Sequence, residues 1–535
     1  MQHSINKIQM PNTNLEDNPD KKVLLVNPPY ERLMGFKLES MTLGLIYLAT
    51  VLDKEGFKAN VYDADTTSSD DQIFKAAGDE VPCQTGNHLD VPDGYRSDRV
   101  FQDTYASNID DINHPAWQEF IGVINDYKPK VVGITVKTPH YHSSLKAAEI
   151  IKNISSDIVV VAGGPHITIT SDNMLDSKYI DYSFNGESEV SFLEFIKKLF
   201  SKENVNDVSN LSYRENGRVL TNPNAERIKD LDELPYPNKD LLLFRERYTK
   251  KLGAMITSRG CPYDCTFCSI VPQWGRKTGF RSAKSIVGEM LYLNKKYGVK
   301  NYEILDDIFT IRKKLVLEVC DEIVKTFGEQ KITWPCLAYL TTLDDEILKA
   351  LKKAGCNRIN VGVESGSDKI LKMINKKANT KQIMETVKLV KKNGIWAHGY
   401  FMFGLPQETE EDMLKTIDFM DKLPLDSVHL TTYTPYPNTV DYDYAVSNGI
   451  IEEDNSFDRY KYVNTHSKDN YFVKGITKER FSELLVLALA TAERKNQKLT
   501  YKKLGGVIKR NVKKYIPLPI LKLVRPDRSG IGLYR

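Results

Sequence analysis

The chain has 535 residues, a length that predicts two or three domains rather than one core. Charged residues make up 27%, hydrophobic residues 41%, and the formal net charge is +3, which indicates a globular protein and argues against a dedicated nucleic-acid binder. No apolar run approaches the roughly 20 residues that span a bilayer, and the first residues lack a secretory signal's apolar core, so we expect a cytoplasmic protein.

The first part of the chain alternates between strand and helix patterns. After a polar leader over residues 1–20, a buried strand at 22–29 ends at two prolines, a helix closes on Gly56, and a second strand follows at 58–65. The same alternation continues to about residue 200. It predicts an α/β domain over 21–200 with a doubly wound parallel sheet of the Rossmann-like kind, interrupted by a polar insertion at 70–118.

A second alternating series follows a linker at 201–247. It predicts a partial (β/α)6 TIM-like barrel over 248–447, whose chemistry would lie at the carboxyl ends of the strands. Six segments have the pattern of its strands: 253–260, 301–307, 332–340, 358–365, 395–404 and 426–437.

Beyond residue 448 the regular alternation stops, and we expect a mostly helical C-terminal cap over 448–535. Residues 494–535 are rich in Lys and Arg, with Asp527 as the single acid. Two interpretations stay open for this tail: a solvated cap packed on the barrel, or peripheral contact with an anionic membrane surface or a lipid substrate.

Three of the seven cysteines crowd into one loop after the first barrel strand, at Cys261, Cys265 and Cys268. Three thiolates can hold three irons of a four-iron cluster and leave the fourth iron open for an outside ligand. Zinc is the alternative, but zinc sites usually close with four ligands, and Cys320 and Cys336 are far along the chain. The spacing favours the cluster and argues against a disulfide scaffold.

This motif, RGCPYDCTFCS, resembles the signature of the radical S-adenosylmethionine (SAM) superfamily. NYEILDDIFT, GVESGSDKIL and FMFGLPQETEED resemble three further barrel motifs of that superfamily, in the same order. The resemblance implies a [4Fe–4S] cluster on the three cysteines and SAM bound nearby. It implies SAM contacts at Phe267, Asp306, Glu364, Ser365, Gly404, Leu405 and Pro406.

The sequence departs from that pattern at two places. Where many relatives carry Arg and then Asp after the third strand, this chain has Tyr339 and Thr341. Where a glycine usually follows the proline of the fifth-strand motif, it has Gln407. We therefore expect the contacts with the substrate or with the SAM carboxylate to differ from the usual ones.

The N-terminal segments VNPP, MTLGLIYLA, GITV, GGPH and NGESE resemble the cobalamin-binding domain that precedes the radical barrel in one large subfamily. The D-x-H-x-x-G motif that supplies a cobalt-ligating histidine elsewhere is absent, so we expect cobalamin without a histidine ligand and a capping or tail-binding role for His166. The resemblance implies cobalamin contacts at Asn27, Pro28, Gly44, Thr135, Gly163, Gly164, Pro165, His166 and Gly186.

Together these resemblances imply an enzyme that cleaves SAM reductively to a 5'-deoxyadenosyl radical and methylates an unactivated carbon of a small-molecule or lipid substrate. They imply an electron donor such as flavodoxin or ferredoxin and no nucleic-acid partner. The alternative is a radical cyclase or another carbon–carbon bond-forming enzyme acting on a lipid or tetrapyrrole. A cobalamin-binding regulator without catalysis is a third interpretation, against which the intact cysteine triad counts.

Overall fold

The computed structural model describes residues 21–35, 41–66, 97–248, 251–453, 456–460 and 470–503. The N-terminal strands are β1 (Lys22–Asn27), β2 (Lys58–Asp63), β3 (Val131–Thr135), β4 (Val159–Gly163), β5 (Tyr182–Phe184), β6 (Leu211–Glu215) and β7 (Arg218–Thr221). They form one sheet in the order β2-β1-β3-β4-β5-β6-β7, in which the first five strands are parallel and the last two antiparallel. The predicted doubly wound sheet is confirmed, and β6 and β7 extend it from the stretch expected to be a linker.

Helices cover both faces of this sheet. They are α1 (Leu43–Lys54), α2 (Ser97–Asn108), α3 (Pro115–Tyr127), α4 (Tyr141–Ile154), α5 (Pro165–Thr170) and α6 (Glu189–Ser201). Because side chains alternate along a strand, β1 contributes Leu24 to the core under α3, beside Trp117, and Leu25 to the opposite core, beside Tyr47 of α1. Burial on both faces explains why the strand is apolar without interruption from Val23 to Val26.

The stretch 70–118, expected to interrupt the pattern, is described from residue 97 onward. There it forms α2 and the beginning of α3. Tyr105 and Trp117 from these helices are fully buried in the same core as Leu24. Residues 67–96 lie outside the described part of the chain.

The second set of strands forms the barrel. The strands are β8 (Ala254–Met255), β9 (Ser258–Arg259), β10 (Gly279–Phe280), β11 (Glu303–Ile304), β12 (Trp334–Ala338), β13 (Cys356–Glu364), β14 (Trp396–Phe403) and β15 (Ser427–Thr432). β8 pairs with β11, a bridge between Asn301 and Thr333 joins β11 to β12, and β12 to β15 pair in sequence order, all in parallel. The six predicted strands of a partial barrel are confirmed, and β9 and β10 form a short antiparallel pair beside it.

Helices pack around the outside of the barrel. They are α7 (Ile270–Trp274), α8 (Ala283–Tyr297), α9 (Lys313–Phe327), α10 (Asp345–Lys353), α11 (Asp368–Met373), α12 (Thr380–Lys392) and α13 (Glu410–Lys422). On β14, Ala397 and Phe401 join the core beneath these helices, whereas His398 and Tyr400 alternate with them and face the barrel interior. At its carboxyl end, each barrel strand from β11 to β14 is therefore followed by a loop whose other end is fixed by a packed helix.

After the barrel come α14 (Val440–Ser447) and α15 (Lys478–Lys503). Phe481 and Leu485 of α15 are buried in the barrel core, so the helical cap predicted for this region is confirmed. Residues 504–535, most of the basic tail, lie outside the described part of the chain. None of the helices among the described residues combines the length and apolar character needed to cross a membrane.

Candidate active site

The three clustered cysteines lie in the loop 260–269, which joins β9 to α7 at the carboxyl end of the barrel and is called the cluster loop below. All three are half-buried free thiols. Three cysteines supply one thiolate fewer than the four ligands with which structural zinc sites usually close. The three thiols therefore fit a multi-iron cluster with one open iron better than a single zinc ion.

Electrostatics supports the same assignment. Burial, with a smaller contribution from the neighbouring cysteines, raises the pKa of Cys265 to about 11 and that of Cys268 to about 12, although Lys376 lowers the pKa of Cys265 in part. A group of thiols that resists ionisation in the bare protein requires positive charge to become thiolate, and a bound metal centre provides it. The donor set therefore fits an iron–sulfur cluster.

Paired acids at the end of β11 hold the chain that leads into the cluster loop. Asp306 is buried and accepts hydrogen bonds from the backbone N–H groups of Thr257, at 2.6 Å, and Ser258, at 3.1 Å, and from both their hydroxyls. Asp307 accepts from the N–H of Gly260 at 3.2 Å. Asp306 thus fixes the strand before the cysteines, and the SAM contact assigned to it stays a prediction.

Further contacts with the cluster loop come from two other segments of the chain. The Thr266 hydroxyl donates to Asp441 at 2.9 Å, and the Asn375 amide donates to Asp264 at 2.6 Å. Phe267 is half-buried against the barrel core. The loop is therefore held from several sides, as a site that must keep a fixed geometry requires.

Glu364 ends β13 in the left-handed region, with φ of 65°. Its carboxylate accepts from the Lys376 ammonium at 3.0 Å. A Cβ atom on Gly362 would collide with both groups, so a larger residue there would displace the Glu364–Lys376 pair. Ser365 is fully buried, and its hydroxyl pairs with Thr416 at 3.0 Å.

The segment after β14 turns at Gly404, which has φ of 89° and lies against Phe481 of α15. The N–H groups of Gly404 and Leu405 donate to one carboxylate oxygen of Glu408, at 2.7 and 3.2 Å. Leu405 and Pro406 are buried. The SAM contacts assigned to Glu364, Ser365 and this segment stay predictions, although the structure places the segments that carry them at the carboxyl ends of adjacent strands.

The carboxyl edge of the N-terminal sheet brings together most of the residues assigned to cobalamin. Asn27 ends β1, and its buried amide donates to Asp63 at 2.8 Å. Thr135 and Gly163 end β3 and β4. Gly164 has φ of 111°, and a Cβ atom there would lie 2.9 Å from the Thr135 hydroxyl. Beyond a sheet edge of this kind is where doubly wound domains bind their ligands.

The other assigned residues occupy different settings. Gly186 follows β5 with φ of 75°, and its N–H donates to the Thr168 hydroxyl at 2.9 Å. Pro28 follows β1 and is buried, Pro165 opens α5, and Gly44 lies exposed in the first turn of α1. These positions stay predictions.

His166 is enclosed by protein groups. Its side chain is fully buried, Nδ1 lies 3.2 Å from the Thr138 hydroxyl, and Nε2 lies 3.6 Å from Asp172. Its ring meets Phe457 edge-on, with centroids 4.5 Å apart. Nε2 has no hydrogen-bond partner among the described residues, and the capping or tail-binding role expected for His166 stays a prediction.

Comparisons with known proteins agree with this geometry. The Radical SAM superfamily model matches residues 255–420, and the B12 binding domain model matches residues 100–196. An uncharacterized methyltransferase of Pyrococcus horikoshii is 32% identical over 472 residues, covering 87% of this chain and 90% of the relative. The chain belongs to the cobalamin-binding radical SAM enzymes.

Two further similarities cover most of the chain. Cytidylyl-2-hydroxyethylphosphonate methyltransferase of Streptomyces wedmorensis is 25% identical and covers 83% of this chain and 85% of its own length. The structure of the radical SAM methyltransferase TsrM from Kitasatospora setae, with cobalamin and a [4Fe–4S] cluster bound, superposes with a TM-score of 0.63 at 17% identity. The superposition covers 88% of this chain and 89% of the TsrM chain, and it shows that the two share a fold.

Lys376 is a residue of this enzyme that the sequence motifs do not indicate. It is buried, its Nζ lies 4.8 Å from the centroid of the Tyr339 ring, and Tyr339 stacks on Tyr263 of the cluster loop at 3.6 Å. Burial lowers the pKa of Lys376, but the Glu364 carboxylate raises it more, so the pKa lies above its usual value and the ammonium stays charged. Lys376 therefore supplies a fixed positive charge beside Cys265.

Glu408 lies within the motif FMFGLPQETEED, but the sequence analysis assigns it no role. Burial raises its pKa from the usual 4.5 to about 8. The folded protein therefore keeps a proton on Glu408 between these pH values, whereas the unfolded chain releases it. Its second oxygen, Oε1, has no hydrogen-bond partner among the described residues.

We expect this proton to make stability fall as pH rises from about 4.5 to about 8. Relative to a Glu408→Gln variant, whose amide stays neutral, the wild-type protein should lose up to about 1.4 kcal/mol per pH unit in that window. Urea unfolding of both proteins at pH 5 and pH 8 measures the difference. Equal pH slopes for the two proteins would contradict the assignment.

A buried polar group at the sheet edge was also missed. Glu31, Asp65 and His140 each place one ligand-type atom within 4.8 Å of the others. Burial and the adjacent Glu31 carboxylate raise the pKa of Asp65 well above its usual range, and burial lowers that of His140 to about 3. Asp65 also accepts from the N–H of Tyr30 at 2.6 Å, so it orders the loop after β1.

Proposed function

We propose that the protein is a cobalamin-dependent radical SAM methyltransferase that methylates an unactivated carbon of a small-molecule substrate. The observation that carries this proposal is the cluster loop itself: three half-buried thiols at the carboxyl end of the barrel. The other cysteines among the described residues, Cys320, Cys336 and Cys356, are buried in the barrel core. A three-thiolate site leaves one iron open, which structural metal sites avoid.

Cys261, Cys265 and Cys268 would hold the cluster. When bound, the cluster supplies the electron for reductive cleavage of SAM, SAM supplies the 5'-deoxyadenosyl radical and the methyl group, and cobalamin carries that methyl group. The protein's own residues orient these groups and exclude water. Asp306 and Asp307 fix the chain before the cysteines, and the stacked Tyr263 and Tyr339 cover one side of the loop.

The assigned contacts belong to the same proposal. We expect SAM to lie across the ends of β11, β13 and β14, next to Phe267, and cobalamin to lie over the carboxyl edge of the N-terminal sheet. An external reductant such as flavodoxin or ferredoxin would donate the electron. The methyltransferase names of the two relatives that align over most of their length favour methylation over cyclisation.

The test uses anaerobically purified protein loaded with iron, sulfide and cobalamin. Incubation with SAM carrying a labelled methyl group, a reductant and a panel of small molecules should yield 5'-deoxyadenosine, S-adenosylhomocysteine and a labelled product. A substrate that is turned over with deoxyadenosine but without S-adenosylhomocysteine would reject methylation and favour the cyclase interpretation. The absence of any SAM cleavage by fully loaded protein would favour the regulator.

A further inference from the structure

A buried arginine directly before the cluster loop pairs with acids from the other domain. Arg259 ends β9, and its guanidinium contacts Glu187 and Glu189 at 2.6 Å each. The three side chains are 7%, 4% and 8% exposed, respectively, so solvent barely screens the pairs. These contacts connect the barrel to the loop between β5 and α6.

Both ends of this connection lie beside a proposed cofactor contact. Arg259 precedes Cys261 by two positions, and Glu187 directly follows Gly186, assigned to cobalamin. Because Glu189 opens α6, the guanidinium is tied to a helix of the N-terminal domain as well as to its loop. A displacement of either domain would therefore change the distance between the two cofactor loops.

Neighbouring groups hold the arginine and its partners in place. The second oxygen of Glu187 accepts from the N–H of Ile228 at 2.8 Å. Arg227 donates to the backbone carbonyl oxygens of Arg259 at 3.2 Å and Trp274 at 3.1 Å. The Arg259 guanidinium also lies over the Tyr47 ring of α1, 5.4 Å from its centroid.

The chemistry of these contacts is directional. A planar guanidinium can serve two carboxylates at once through separate N–H groups, which the compact ammonium of lysine does not reproduce. Apolar side chains of similar volume would hold two domains together without the cost of desolvating three charges. The charged arrangement therefore specifies one relative placement of the domains rather than mere adhesion.

We propose that Arg259 is a positioning residue that sets the cluster loop against the loop 186–189 of the cobalamin-binding domain, so that SAM cleavage is coupled to methyl transfer. The proposal rests on the proposed function for the identity of the two cofactors. The pairing with Glu187 and Glu189 itself rests on the geometry.

The test compares Arg259→Lys with a matched control. Arg281 is a second buried arginine, 4% exposed, whose ion-pair partner Glu289 lies in the same barrel, so Arg281→Lys perturbs a buried ion pair that does not join the two domains. Two readouts are measured on full-length protein: amide hydrogen exchange without added SAM, and deoxyadenosine formed per methylated product. If Arg259→Lys does not fold, the second variant is Glu187→Gln, in which Arg259 keeps its ion pair with Glu189.

For Arg259→Lys we expect about tenfold faster exchange at both 186–190 and 258–262. We also expect about a tenfold rise in deoxyadenosine per methylated product, with iron and cobalamin content unchanged. Arg281→Lys should leave both loops and the product ratio as in the wild-type protein. Equal effects of the two variants, or an unchanged product ratio with faster exchange, would overturn the proposal. A wild-type protein that makes no methylated product would reject the proposed function, and the exchange comparison would still decide whether Arg259 fixes the two loops.

Discussion

Replacing Cys265 by alanine should lower reductive SAM cleavage at least about 1,000-fold, because a cluster held by two thiolates loses the geometry that leaves one iron open. The iron content of anaerobically purified variant and the deoxyadenosine it forms per hour are the measurements. The same variant should keep the N-terminal domain intact, since Cys265 lies in the barrel and outside the N-terminal sheet. Cobalamin binding, followed by its absorbance, should therefore persist.

Cys320→Ala is the matched control. Cys320 lies on α9, buried in the barrel core, so its removal leaves a small cavity worth about 1 kcal/mol of stability without touching the cluster loop. Its iron content and SAM cleavage should equal those of the wild-type protein. Full SAM cleavage by Cys265→Ala, or zinc in place of iron in anoxically prepared wild-type protein, would refute the cluster assignment.

Much of the fold follows from local sequence. The run from Val23 to Val26 is apolar at every position because both faces of β1 are covered, and such runs identify strands of parallel sheets. The β6–β7 hairpin was not predicted, because Arg218 to Thr221 are all exposed and carry no burial pattern. Local patterns therefore predict buried elements better than exposed edge strands.

The residues of the candidate site also differ in whether local sequence predicts them. The cysteines could be predicted because all three lie in one loop, where spacing alone carries the chemistry. Lys376 could not, because its partner Glu364 ends a strand and Tyr339 ends another, and only the barrel brings them together. Arg259 is similar: its first partner, Glu187, lies 72 positions earlier in a different domain. Such pairings depend on tertiary structure that no local period encodes.

Asp306 shows a third situation, in which the sequence indicates the place but not the contact. The paired acids were predicted at the end of a barrel strand, and the structure places them there. The carboxylate of Asp306, however, is used by the N–H groups and hydroxyls of Thr257 and Ser258. A motif residue can thus support the cofactor site by holding the chain that carries the ligands.

The second large effect is expected at Lys376. Lys376→Met should destabilise the protein by about 3–5 kcal/mol, because it leaves the Glu364 carboxylate, 13% exposed, without its buried partner. The same substitution removes the positive charge beside Cys265, so SAM cleavage by the folded protein should also fall. Urea unfolding and deoxyadenosine formation measure the two effects separately.

Two further variants show whether the stability is lost because the buried Glu364 carboxylate is left unpaired or because a lysine is removed. Lys376→Met combined with Glu364→Gln removes both charges and should recover most of the lost stability, since the cost of a broken buried pair lies largely in the partner that stays behind. Lys349 of α10 pairs with Asp345, and the two side chains are 70% and 41% exposed, so Lys349→Met should cost little stability and leave SAM cleavage unchanged. If Lys376→Met and Lys349→Met lose the same stability, Lys376 is not the buried counter-charge that holds Glu364 beside the cluster loop.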